Sequence, residues 1–114
     1  MNWIFAHLIG DYLLQNDWMA RNKKTSSFAC SVHIITYMIP FLFIGLEVWQ
    51  LLAIAGQHWI QDRTNFVLWF MKVTGKNDFI KPPMAPWSII VIDNIFHILW
   101  IALVIYTLPG WIPL

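Results

Sequence analysis

Four long apolar stretches alternate with short polar clusters along the chain, and each is close to the roughly 20 residues that a helix needs to cross a bilayer. The first runs from about Trp3 to Ala20 and ends at "RNKKTSS". Ser26 or Ser27 is placed to cap a second helix, about Phe28 to Leu46, which Pro40 is placed to bend. The third covers about Val48 to Val73 and is broken lightly by Gly56. A loop, "TGKNDFIKPPMAP", follows with three prolines and a TG turn signal. The fourth runs from about Trp87 to Leu108 and stops at "PGWIPL". This pattern predicts one all-α integral membrane domain over residues 1–114, built as a four-transmembrane-helix bundle.

Composition strengthens that expectation. Of the 114 residues, 59% are hydrophobic and 11% charged, against about 25% charged in soluble domains, so the bilayer is the expected solvent. A net charge of +1 leaves no basic footprint for nucleic acid. The single cysteine, Cys30, excludes an intrachain disulfide. The N-terminus has neither the basic region nor the small-residue site of a cleavable signal peptide, so none is expected. Arg21, Lys23 and Lys24 lie between the first two helices, and Lys72, Lys76 and Lys81 between the last two. The positive-inside rule therefore places both basic loops in the cytoplasm and both termini outside it. Trp18 and Trp87 then fall near the inner interface, and Trp3, Trp49 and Trp111 near the outer one.

Against this apolar background, seven ionisable residues stand out. The first helix carries "HLIGD" (His7, Asp11), the second His33, the third "HWIQD" (His58, Asp62) and the fourth "DNIFH" (Asp93, His97). Residues four apart share a helical face, so each pair points to one place. A charge at the bilayer centre costs about 2.5–3.5 kcal/mol, so such residues face inward and pair. Helices one and three read His then Asp, while helix four, running the other way, reads Asp then His. Reversed order on a reversed helix predicts a layer of His7, His58 and His97 above a layer of Asp11, Asp62 and Asp93, about 6 Å apart at 1.5 Å rise per residue. His33 falls at the aspartate level.

Imidazole nitrogen with carboxylate oxygen suits zinc, with manganese, iron or nickel as alternatives, better than magnesium or calcium. The seven residues are therefore candidate metal ligands for one ion, or for two ions bridged by an aspartate. Asp11, Asp62 and Asp93 are also the candidate catalytic carboxylates, since a metal-activated water is the simplest chemistry available to such a set. The alternative is a metal-free hydrogen-bonded network that joins the helices. Gln15 continues the His7–Asp11 face as polar lining, and Asn65 and Asn94 either orient ligands or link helices. Arg63 either pairs with a carboxylate, snorkels, or holds an anionic substrate group. Cys30 shares a face with His33 and reads as a small hydrophobe.

At these residues, "HLIGDYLLQNDWMA", His33, "HWIQDR" and "DNIFH", the chain resembles the small integral membrane proteins of domain-of-unknown-function family 3307, found in bacteria and their phages. It is also distantly similar to bacterial inner-membrane proteins classed as metal-dependent hydrolases. That similarity implies a hydrolase in the bacterial inner membrane, with metal-ligand roles for His7, Asp11, His33, His58, Asp62, Asp93 and His97. The expected function is hydrolysis of a lipid or lipid-linked ester or phosphoester within the bilayer. A metal or proton conduit, formed as a homo-oligomer, is the alternative from another class. A non-catalytic membrane protein with a structural polar core is a third, and a bis-histidine haem bundle a weaker fourth.

Overall fold

In the computed structural model, which describes residues 2–106, the chain is all-helical, with no strand among the described residues. The elements in order are α1 (Trp3–Leu8), a π-helical turn (Ile9–Leu13), α2 (Asp17–Asn22), α3 (Ser27–Met38), a 3-10 turn (Pro40–Phe43), α4 (Val48–Arg63), α5 (Phe66–Val73) and α6 (Trp87–Tyr106). Short polar side chains start these helices. Asn2, Asn16 and Ser26 each accept a hydrogen bond from a backbone N–H in the first turn of α1, α2 and α3. Glu47 and Gln50 form a reciprocal capping box on α4.

Each of the long segments buries one stripe. On α6 the stripe is His97, Ile101 and Val104, and on α4 it is Ile54, His58, Gln61 and Asp62. On α3 it is Cys30, His33, Ile34 and Tyr37, and Phe41 continues it into the 3-10 turn. At one end the stripes meet in an apolar core of Ala6, Tyr37, Phe41, Ile54, Ile101 and Val104. Toward the other end they become polar. Following the chain, α1 and α4 pass from the apolar core into the polar cluster, while α3 and α6 pass out of it. This up-and-down order is what reverses "HWIQD" into "DNIFH". Trp3 Nε1 donates to the Tyr106 hydroxyl at 2.7 Å, which ties the start of α1 to the end of α6.

The expected four unbroken spans are not what forms. Among the described residues α6 alone is long and apolar enough to cross a membrane, with a mean hydropathy of 2.2. The other three segments are divided by local chemistry. The first changes to π geometry at Ile9, and Asn16 then starts a new helix. The second gives way at Pro40, which lacks a backbone donor. The third runs straight through Gly56 and breaks instead at Thr64, whose backbone is extended. There the Lys24 ammonium takes the carbonyls of Asp62 at 3.1 Å and Thr64 at 3.0 Å, closing the helix end with a cation. The expected end of the last helix at Leu108 and the Trp111 anchor lie outside the described residues.

The surface of α6 is apolar: Ile90, Val91, Ile95 and Leu99 are exposed. So are Phe28, Ile35, Leu42 and Phe43 along the second segment, and Leu52, Ile60 and Trp69 along the third. Scattered apolar side chains are ordinary on a protein surface, but contiguous apolar faces mark contact with something other than water.

Candidate metal centre

Four side chains from three elements converge inside the bundle. The π-helical turn, a geometry often found at functional sites, presents Asp11; α3 presents His33; α4 presents His58 and Asp62 one turn apart. Nε2 of His33 and Nε2 of His58 lie 3.2 Å apart. Asp62 Oδ2 is 3.1 Å from the first and 3.0 Å from the second. Asp11 Oδ1 is 3.4 and 3.6 Å from the same two nitrogens. A tetrahedral zinc with bonds of about 2.0–2.1 Å sets its ligand atoms about 3.3–3.4 Å apart. These five separations fit edges of one coordination tetrahedron, all ligand atoms of the set lie within 4.8 Å of one another, and all four residues are buried. Asp11 Oδ1 accepts no hydrogen bond from the described residues, although it is buried. A buried carboxylate oxygen without a donor is costly unless a cation meets it. The set can hold a metal ion.

The remaining donors lie on α6. His97 Nε2 is 3.2 Å from Asp62 Oδ1 and 3.4 Å from Asp93 Oδ2. Its ring stacks on His58 at 3.8 Å between centroids, and the other face of the stack is Tyr37, also 3.8 Å from His58. Gln61 Nε2 donates to Asp93 Oδ1 at 2.8 Å and to the Asp93 carbonyl at 2.9 Å. The sequence pairs at spacing four are thus in contact on both α4 and α6.

His7 is buried beside this cluster rather than in it. Its Nε2 meets Asn94 Oδ1, and its Nδ1 is 2.7 Å from the Tyr37 hydroxyl. An amide oxygen only accepts, so Nε2 carries the proton and Nδ1 accepts from Tyr37. Both nitrogens are then occupied within the protein. Asn94 Nδ2 in turn donates to the Tyr12 hydroxyl. His7 still keeps to the predicted layer, with its ring 5.8 Å from that of His97 and 6.4 Å from that of His58. Tyr37→Phe is expected to leave the buried His7 Nδ1 without a donor and to cost about 1–3 kcal/mol. The check is a lowered Tm in detergent with metal content unchanged.

On the side away from the apolar core, Lys23 reaches in from the end of α2. Its ammonium donates to Asp62 Oδ2 at 3.1 Å and to Gln15 Oε1 at 3.0 Å. Burial disfavours its charge, but Asp62, Asp11 and Asp93 more than offset that, so its pKa lies above the ordinary lysine value. Gln15 thus meets the site through Lys23. Asn65 lines a cavity of about 300 Å³ with Lys23, Lys24, Asp62 and Asp93. Arg63 pairs with no carboxylate among the described residues: it donates to the Ser27 hydroxyl at 3.2 Å and the Lys24 carbonyl at 2.6 Å, fastening α4 to the start of α3. A second cavity, about 600 Å³ and mostly apolar, lies between α4, α5 and α6 and is lined by Gln57, Gln61, Phe66, Phe96, Leu99 and Trp100, among others.

Sequence reasoning missed Lys23, Gln61 and Tyr37 as parts of the site. Gln61 was within reach, since it sits inside "HWIQD" one residue from a ligand. Lys23 looks like a loop charge until α2 and α3 fold back, and Tyr37 reads as one aromatic among many.

No curated protein and no solved structure matches the chain. A family model described as "Protein of unknown function (DUF3307)" matches residues 1–111, nearly the whole chain, and the protein belongs to that family.

Proposed function

We propose that the protein is a membrane-embedded, metal-dependent hydrolase that acts on a lipid or lipid-linked ester or phosphoester, with zinc as its metal. The observation that carries this reading is the spacing of Asp11, His33, His58 and Asp62 at a buried point, of which Asp62 also lines the cavity that holds Lys23, Lys24 and Asp93. When bound there, zinc supplies a water of lowered pKa and a Lewis acid for the scissile ester. The chain's own groups do the rest. The apolar cavity that ends at Gln57 and Gln61 suits an acyl chain, while the cavity with Lys23, Lys24 and Asn65 admits water and a polar head. Asp93, the least buried of the three carboxylates, is the one an entering polar group meets first.

Membrane residence rests on the apolar outer face of α6 and the exposed apolar side chains of the second and third segments. In this reading those segments cross as broken helices. Irregular backbone is tolerated at membrane depth where it is buried in protein: Gly10 and Asp11 are buried at the break of the first segment, and Pro40 and Phe41 at that of the second. The orientation, with both basic loops in the cytoplasm and both termini outside, is the one the charge bias supports, and the bacterial inner membrane is the location the resemblance implies. A conduit has less support, because the apolar core of Tyr37, Phe41, Ile54, Ile101 and Val104 closes the bundle beyond His97.

The test is turnover of a panel of lipid esters and phosphoesters by the protein in liposomes. Hydrolysis that stops with a chelator and returns with zinc is expected. Ion flux through the same liposomes without turnover of any substrate would overturn the hydrolase reading.

A further inference from the structure

The donors around Asp62 fall into two sets rather than one. Asp62 Oδ2 faces His33 and His58, at 3.1 and 3.0 Å. Its other oxygen, Oδ1, faces His97 at 3.2 Å, and His97 is 3.4 Å from Asp93 Oδ2. Ligand atoms of Asp11, Asp93 and His97 lie within 4.8 Å of one another, so Asp11 belongs to both sets. A carboxylate that offers one oxygen to each of two donor sets is a means of holding two cations about 3.5–4 Å apart.

We propose that His97, Asp93 and Asp62 Oδ1 form a second cation site, which shares Asp11 and Asp62 with the first and makes the centre dinuclear. The proposal rests on the metal-centre reading but not on hydrolysis. The surroundings of the second set prepare it for a cation. His97 Nδ1 lies 3.4 Å from Gln57 Oε1, an acceptor that keeps the proton on Nδ1 and leaves Nε2 as the acceptor, with the Gln61 amide nitrogen 3.4 Å away as the donor an ion would displace. Gln61 holds Asp93 Oδ1 at 2.8 Å and so turns Oδ2 toward His97.

Charge then bears on what else the centre binds. Three carboxylates face the ammonium of Lys23, and that of Lys24 lies at the Asp62 carbonyl. One divalent ion therefore cancels the negative excess, and a second leaves a surplus of at least two positive charges. In a buried site that surplus requires anions, which a hydroxide and a phosphate-bearing substrate supply and a neutral ester does not. A phosphoester is the substrate class this centre favours.

The experiment is a zinc titration of chelator-treated, full-length protein in detergent, with and without inorganic phosphate. Two equivalents per chain are expected, the second weaker and tightened about ten-fold by phosphate. Asp93→Asn and His97→Gln are each expected to keep the first equivalent and lose the second. Loaded with two equivalents of Mn(II), the unaltered protein is expected to show a spin-coupled resonance spectrum instead of isolated six-line signals. Saturation at one equivalent, uncoupled manganese, or a second equivalent that survives in both variants would overturn the second site. A second equivalent indifferent to phosphate would overturn the substrate class. Because no turnover is read, failure of the hydrolase reading and failure of this one are distinguishable.

Discussion

His58→Ala is expected to strip the protein of bound metal, a loss of more than about 100-fold in affinity, which exceeds the 10–100-fold typical of a residue that merely supports a ligand. His58 Nε2 is within 3.6 Å of His33 Nε2, Asp11 Oδ1 and Asp62 Oδ2, so it touches every other member of the tetrahedral set. Its ring is clamped between Tyr37 and His97, each stacked at 3.8 Å, so it is held in position before any ion arrives. Removing the ring also opens a void in that stack and lowers stability. His58→Gln, which fills more of the space, separates the two effects: it is expected to lose metal with a smaller drop in Tm. In the unaltered protein, zinc at about 1,000 times its Kd is expected to add about 4 kcal/mol of stability, read as a rise in Tm that a chelator reverses. Elemental analysis that finds the purified protein folded and metal-free would end both the catalytic reading and the dinuclear one.

The second large effect is expected at Gly10. An added Cβ there would stand 2.5 Å from the Tyr37 carbonyl oxygen, 2.8 Å from Tyr37 Cδ1 and 3.1 Å from its Cα. Two of those atoms are backbone, so no rotamer change relieves the clash, and Gly10→Ala must push the π-helical turn away from α3. Overpacking of this kind costs about 1–3 kcal/mol, and here the displaced residue next in the chain is Asp11. Reduced Tm and weakened zinc binding should appear together. Gly56→Ala is the control: nothing lies within 4 Å of a Cβ built there, in the interior of α4, so the substitution should be neutral or stabilise by up to about 1 kcal/mol. Gly10→Ala with unchanged Tm and unchanged zinc affinity would refute the close-approach account of "HLIGD".

Much of the site was legible because helical periodicity is local. Asp62 follows His58, and His97 follows Asp93, by one turn, and the opposite order of the two pairs already implied antiparallel helices. The all-helical class was legible for the same reason. The breaks were harder to see. Pro40 announces itself, but at the break at Thr64 the helix-end carbonyls are taken by Lys24, which arrives from the connection between α2 and α3. Gly56, the residue that looked weakest in α4, is an uninterrupted part of it.

Taken alone, the amino-acid sequence determined which donors exist, their spacing along each helix, and the sense in which each helix must run to bring acids to acids and imidazoles to imidazoles. These follow from the rise and twist of a single helix. Only the tertiary structure decided which atoms meet. It set His7 against Asn94 and Tyr37, with neither nitrogen left for an ion. It brought Lys23 onto Asp62 and divided the two oxygens of Asp62 between two sets of donors. The physical reason is that the rotation of each helix about its axis is set by what packs against it: the Gly10–Tyr37 contact, the Tyr37–His58–His97 stack and the apolar core beneath them.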